Sequence, residues 1–151
     1  MARWRISIAY DSPALPQYKE GWGFSAVISS DDGNILFDCG WDGRILRENL
    51  AQFGYTFSDM DLVVLSHYHW DHLTGLPVML ADPSIKKTLE VIVPYGFSKN
   101  LTKEIRRMAT AREVRSPQEI FPKVWATGPL GGDVPEQSLI LKGKNEVAVL
   151  T

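Results

Sequence analysis

The chain has 151 residues, of which 44% are hydrophobic and 23% charged, a composition typical of one soluble globular domain. Its formal net charge of -2 gives no electrostatic case for nucleic acid or an anionic membrane, and no stretch approaches the ~20 apolar residues of a transmembrane helix. Cys39 is its one cysteine, which excludes an intrachain disulfide and makes the cytoplasm the expected location.

The first third of the chain is predicted to be mostly strand. Alternating apolar residues predict three strands, which cover residues 3–10, 23–30 and 34–38. A helix is predicted to begin after Asp42, a favourable N-cap, and to end at Gly54. Its apolar residues recur at helical spacing, so one face of this helix is expected to pack on the sheet.

The rest of the chain alternates helices and strands. The apolar run from Leu62 to Leu65 predicts a strand buried on both faces, which requires a layer on each side of its sheet. Further helices are predicted over residues 73–81 and 98–114, and further strands over residues 89–93, 121–127, 138–141 and 147–151. This order predicts a layered α/β fold in one domain, residues 1–151.

All the histidines of the chain lie in one short segment, residues 67–72, directly after the buried strand. The candidate ligands in it are His67, His69, Asp71 and His72. Imidazole and carboxylate groups suit zinc, and they also suit manganese and iron. Side chains two residues apart in an extended segment point the same way, so His67 and His69 can reach one ion.

Asp71 and His72 follow where the chain is expected to turn into a helix. They are therefore better placed to face a second ion, and two ions roughly 3.5–4 Å apart can hold a shared hydroxide. Tyr68 and Trp70, which separate the candidate ligands, are expected either to pack beneath the site or to line a substrate pocket, and packing is the favoured role.

The motif resembles the signature of the metallo-β-lactamase superfamily. Five further segments resemble one branch of it, namely residues 21–25, 35–40, 61–66, 128–130 and 135–139. That branch includes dihydropterin–ribofuranosylaminobenzene phosphate synthases and many uncharacterised hydrolase-like proteins. The resemblance implies an αββα sandwich, of which this chain is expected to be the N-terminal half.

The resemblance also implies roles for individual residues. His67 and His69 would bind the first metal ion, and Asp71 and His72 the second. Asp71 would also help to orient the attacking water. Asp38 would fix the orientation of an imidazole from behind the site, although its position fits a simple turn after a strand equally well.

The chain departs from the family after residue 72. Relatives supply further histidine and aspartate ligands, whereas this sequence has no histidine after His72. Asp42 and Asp133 are other carboxylates, but nothing in their spacing singles them out from solvated loop residues. One or two ions are therefore expected, and a second copy of the chain or a separate C-terminal half is expected to cover an exposed apolar sheet face.

Three functions are compatible with these features. The first is a metal-dependent hydrolase that uses a metal-bound hydroxide on a small-molecule ester or phosphoester. The alternative is a catalytically incomplete fragment that folds by oligomerising and keeps a remnant or structural metal site. The third is an iron redox protein, against which His69 argues, because diiron relatives usually carry glutamate at that position.

Overall fold

A computed structural model describes residues 4–151, so the start of the predicted first strand, at Arg3, lies outside the described residues. The strands are β1 (Arg5–Tyr10), β2 (Ser25–Ser30), β3 (Gly33–Phe37), β4 (Leu62–Val64), β5 (Glu90–Pro94), β6 (Thr110–Val114), β7 (Gln118–Phe121), β8 (Val124–Ala126), β9 (Leu139–Lys142) and β10 (Val147–Leu150). The helices are α1 (Gly43–Gln52), α2 (Trp70–Leu73), α3 (Leu76–Leu80) and α4 (Lys99–Ile105).

The strands form two sheets. The first has six strands in the order β1-β2-β3-β4-β5-β6, of which β1 to β3 are antiparallel and β3 to β6 are parallel. The second has four antiparallel strands in the order β10-β9-β8-β7. Because β3 and β4 are parallel neighbours, the loops that leave their carboxyl ends meet at one edge of the larger sheet.

Both faces of the six-stranded sheet are buried. One face packs with the helices in a core that contains Leu36 and Val63. The other face packs on the four-stranded sheet in a second core that contains Ile35, Val64 and Leu139. The layered α/β fold is therefore confirmed, together with a β4 strand that is buried on both sides.

The predicted helix over residues 98–114 is wrong in its second half. Helix α4 ends at Ile105, and Thr110–Val114 is instead strand β6 at the edge of the larger sheet. There Arg112 donates to Glu90 on β5 at 2.8 and 3.0 Å. Pairing with the free edge of β5 outweighs the helical spacing of the apolar residues in this segment.

Two other predicted elements are each divided. The helix predicted over residues 73–81 is two short helices, α2 and α3, separated at Thr74 and Gly75. The strand predicted over residues 121–127 is the second half of a hairpin, since the chain reverses between β7 and β8 at Lys123, whose φ is 63°. In both places a tight turn interrupts a pattern that looks continuous in the sequence.

The outer face of the four-stranded sheet carries exposed apolar side chains. Val147 and Val149 on β10 are 63% and 61% exposed. Among the described residues, no helix is long and apolar enough to cross a membrane.

Candidate metal centre

The carboxyl ends of β3 and β4 bring the candidate residues together. Asp38 follows β3 directly, and its N–H donates to the carbonyl of Val64 at 2.8 Å, so it lies beside the turn that leaves β4. The φ of Asp38 is 59°, a conformation that is strained for a residue other than glycine. Strain of this kind persists where the surrounding contacts require it, and at Asp38 they do.

Asp38 is the centre of a buried hydrogen-bond network. Its side chain is 1% exposed, and its Oδ1 accepts from the N–H of Ser66 at 2.7 Å. Its Oδ2 accepts from Oγ of Ser66 at 2.6 Å and from Nδ1 of His72 at 2.8 Å. The carboxylate thus connects the β3 end, the β4 end and the start of α2.

These bonds determine the tautomers of two histidines. When the His72 ring is neutral and donates its Nδ1 proton to Asp38, its Nε2 retains the lone pair. Ser66 has a single hydroxyl proton, which it gives to Asp38, so its oxygen accepts from Nδ1 of His67 at 2.8 Å. His67 therefore also presents an unprotonated Nε2, the form in which an imidazole binds a metal ion.

The Nε2 atoms of His67 and His72 each lie beside one other candidate ligand, which gives two pairs of residues. Nε2 of His67 lies 3.0 Å from Nδ1 of His69, and Nε2 of His72 lies 3.6 Å from Oδ2 of Asp71. Ligands of a tetrahedral zinc ion, each about 2.1 Å from the metal, lie roughly 3.4 Å apart. Both distances are close to that spacing, and the ring centroids of His67 and His72 are 4.2 Å apart, so the two pairs are adjacent.

The electrostatics of the buried His67 and the half-buried His72 differ. Burial lowers the pKa of His67 and the neighbouring His72 lowers it further, so His67 stays neutral at pH 7. For His72, burial also favours the neutral form, but the hydrogen bond and negative charge of Asp38 outweigh it, and the pKa is raised. The carboxylates therefore concentrate negative potential on the His72 side of the site.

The backbone around the motif is held by close contacts. The carbonyl of Asp71 accepts from Phe24 N at 3.2 Å, and the carbonyl of His72 accepts from Cys39 N at 2.7 Å. A Cβ atom at Gly23, whose φ is 116°, would lie 1.8 Å from the Asp71 carbonyl oxygen. Gly23 is therefore required for the close approach of the segment before β2 to the segment of candidate ligands.

The two aromatic residues of the motif have different surroundings. Tyr68 packs edge-on against Phe97, with ring centroids 6.1 Å apart, as expected of a residue beneath the site. Trp70 is 60% exposed, so the packing role predicted for it is wrong. Trp70 and His69 instead line an open concavity of about 670 Å³, which extends to Ser98 at the start of α4.

Each pair consists of two candidate ligands, and none of the described residues adds a third. Among residues 4–151, no three histidine, cysteine or acidic side chains converge to hold one ion. Asp42 caps α1 and pairs with Arg44 at 2.8 Å, and Asp133 lies exposed in a loop, so neither completes a shell. The chemistry and spacing of each pair fit a divalent ion, with coordination positions left for further ligands.

Three residues near the site were not found from the sequence. Ser66 orients His67 and Asp38, and a hydroxyl residue directly before the first histidine was the available signal. Gln137 donates to the carbonyls of Leu65 and Ser66 from a segment 72 residues away, a contact that no local pattern indicates. Glu136 places Oε1 3.9 Å from Nδ1 of His67, on the side of that ring away from His69.

Comparison with known proteins places this arrangement in a family context. The model of the beta-lactamase superfamily domain matches residues 33–128. An uncharacterised protein of Methanocaldococcus jannaschii is 39% identical over 80 residues, which cover 53% of this chain and 31% of that protein. Ribonuclease Z of Clostridium tetani is 27% identical over 130 residues, 84% of this chain and 39% of that protein. The chain thus spans about a third of the length of these curated relatives.

Solved structures share the fold. A metal-dependent hydrolase of the beta-lactamase superfamily aligns with a TM-score of 0.74 and 20% identity, over 97% of this chain and 64% of that one. The metallo-beta-lactamase fold protein YhfI of Bacillus subtilis aligns with a TM-score of 0.73 and 18% identity, over 97% and 61%. The ribonuclease Z relatives indicate another part of the superfamily than the dihydropterin branch, which therefore stays a prediction.

Proposed function

The chain belongs to the beta-lactamase superfamily, and from that membership we propose that it is a metal-dependent hydrolase of an ester or phosphoester. The observation that carries the proposal is the pairing of His67 with His69 and of His72 with Asp71 at ligand-to-ligand distances. These imidazole and carboxylate groups lie together with no described lysine or arginine among their partners, an arrangement that favours a bound cation.

Each residue of the site has a definite task in this proposal. His67 and His69 hold one ion, and Asp71 and His72 hold a second. Zinc is the first choice, and manganese and iron suit the same ligands. When bound, such ions acidify water and polarise a substrate oxygen. Asp38 keeps the His72 imidazole oriented, and Asp71 is also placed to orient the attacking water.

The proposed substrate is a small molecule with a phosphoester bond. Support comes from the ribonuclease Z relatives, since a ribonuclease cleaves phosphodiesters. The concavity beside His69 and Trp70, about 670 Å³, lies within the usual volume range for small-molecule sites.

The incomplete pairs support a role for a partner. A catalytic zinc ion normally has three protein ligands and water, whereas each pair here provides two. We therefore propose that a second copy of the chain, or a separate C-terminal half, supplies the remaining ligands. The exposed Val147 and Val149 of β10 give such a partner an apolar surface to cover.

The second candidate function is the incomplete fragment with a remnant metal site. The same shortage of converging ligands favours it. The two candidates differ in metal content and in turnover, so one purified sample separates them.

The test is to purify the chain without chelator and measure metal per chain by elemental mass spectrometry, with the particle mass determined by light scattering. Hydrolysis of bis(p-nitrophenyl) phosphate and p-nitrophenyl acetate is measured on the same peak. His67→Ala and Asp71→Ala are the site variants. Asp61→Asn, at the opposite edge of the sheet, is the matched control.

About two ions per chain in an oligomer, with hydrolysis lost in both site variants and kept in the control, would support the hydrolase. Absence of metal and of turnover, with His67→Ala identical to the unmodified chain, would refute it and leave the fragment.

A further inference from the structure

The segment that leads into β9 passes the carboxyl end of β4, where the candidate ligands lie. The N–H of Leu130 donates to the carbonyl of Glu136 at 2.7 Å, which closes a loop between these residues. Gln137 follows the loop and is 0% exposed, although the residues on its amino side are mostly at the surface. The loop thus delivers one buried amide to the turn after β4.

Gln137 makes two hydrogen bonds to that turn. Its Nε2 donates to the carbonyl of Leu65 at 2.8 Å, and its backbone N–H donates to the carbonyl of Ser66 at 2.9 Å. The carbonyl of Leu65 and the N–H of Ser66 belong to one planar peptide unit. Gln137 holds that unit from one side, and Asp38 holds it from the other by accepting from Ser66 N at 2.7 Å.

The orientation of this peptide unit affects the imidazole beyond it. The Ser66 hydroxyl reaches Asp38 at 2.6 Å and His67 at 2.8 Å only while the backbone of Ser66 keeps its position. Rotation of the unit would break the bond to Nδ1 of His67. Without that bond, His67 would lose the constraint that leaves Nε2 unprotonated and directed at His69.

The buried side-chain amide of Asn49 provides a comparison, because its role is purely structural. Asn49 is 2% exposed and donates Nδ2 to the carbonyls of Ala9 and Lys19, while its Oδ1 accepts from Lys19 N. Every polar group of that side chain is bonded, and no candidate ligand takes part. In Gln137, by contrast, Oε1 accepts from none of the described residues, and the amide bonds only to the turn before His67.

We propose that Gln137 is a positioning residue of the metal centre. It clamps the peptide unit between Leu65 and Ser66, and through Ser66 it fixes His67 in the tautomer that binds metal. This inference rests on the proposed function for its purpose, but the contacts that carry it involve no metal.

The test uses metal-free protein labelled with 15N-histidine at about pH 8, where imidazoles are largely neutral. The chain has three histidines, so the ring signals can be assigned by single substitutions. In the unmodified chain, His67 is expected to carry its proton on Nδ1, which faces Ser66 Oγ. Gln137→Met removes the Nε2 donor at similar length, and Asn49→Leu is the control that loses a buried amide elsewhere.

Gln137→Met is expected to give His67 a mixture of tautomers and to weaken zinc binding about 10–100-fold, while Asn49→Leu changes neither. If Gln137→Met does not fold, Gln137→Leu provides the same test, because it also lacks the donor for the Leu65 carbonyl and places no charge in this buried position. A single unchanged His67 tautomer in the Gln137 variant would overturn the inference. Failure of the unmodified chain to bind zinc, manganese or iron would refute the proposed function instead, since the tautomers are read without metal.

Discussion

The two ends of the six-stranded sheet both carry aspartates, but these are neutralised in different ways. At the amino end, Asp61 accepts from Asn34 N at 2.9 Å and from Lys86 Nζ at 2.5 Å. At the carboxyl end, Asp38 and Asp71 have histidine neighbours, and no described lysine or arginine pairs with either.

This difference separates a structural network from a site that can accept a cation. The amino end contains its own counter-charge in Lys86, so its hydrogen bonds close among protein groups. At the carboxyl end, imidazole and carboxylate groups lie beside one another, and no described lysine or arginine supplies a counter-charge. The predictions below change one end while the other serves as the reference.

The largest effect is expected for Asp38→Asn. The substitution replaces a buried acceptor of bonds from Ser66 and His72 with an amide that must place its N–H₂ against one of these donors. We expect a loss of about 3 kcal/mol in the free energy of unfolding, measured by urea denaturation. Asp61→Asn at the amino end should lose about 1 kcal/mol or less, because its ion pair is partly exposed. Equal losses at the two ends would show that Asp38 and Asp61 contribute equally to stability.

A slightly smaller effect is expected from metal. Zinc at about 100 times its dissociation constant should add roughly 2.7 kcal/mol to the free energy of unfolding, and a chelator should remove the gain. Thermal unfolding with and without zinc measures it. Lys86→Met, which disrupts only the amino end, should keep the full zinc-dependent gain, whereas His72→Ala should lose most of it. A gain that survives in His72→Ala would show that zinc binds elsewhere.

Glycine substitutions should distinguish the ends next. Gly23→Ala is expected to cost about 2 kcal/mol, because its Cβ would meet the Asp71 carbonyl at 1.8 Å and the positive φ adds strain. The same change should weaken zinc binding, since it displaces the ligand segment. Gly33→Ala at the amino end would meet the Asp61 carboxylate, a flexible group, and should leave zinc affinity unchanged. Calorimetric zinc titration of both variants checks this, and weaker binding in the Gly33 variant would argue against two independent ends.

The smallest effect is expected at Asp42, which lies near the carboxyl end but has its own cation, Arg44. Asp42→Ala removes the N-cap of α1 and should cost about 1 kcal/mol with no change in zinc binding.

Hydrogen bonds from Arg44 lower the pKa of Asp42 from 3.8 to about 2. The carboxylate therefore stabilises the fold above pH 3.8, and this contribution disappears as the pH falls through about 2. Urea denaturation of both proteins at pH 7 and near pH 2 should show the difference shrinking, and a constant difference would exclude the charged cap as its source.

Much of the fold was predictable from local pattern. Period-two apolar residues indicated β1 to β3, and Asp42 marked the start of α1, because these signals depend on neighbours in the chain. One wrong assignment was the segment Thr110–Val114, which pairs with β5 in the sheet. Sheet pairing is a distant contact, so it can override a helical spacing that is only local.

For the candidate site, too, some features follow from the sequence and others only from the tertiary structure. The sequence by itself determined the types and the order of the candidate ligands in residues 67–72, because suitability for a metal depends on residue identity. The tertiary structure alone decided that Asp38 and Ser66 set the tautomers and that Gln137 clamps the turn before His67. These contacts exist because parallel β3 and β4 end at one edge of the sheet and the segment before β9 returns to it. The direction of a lone pair depends on that packing, and no spacing along the chain encodes it.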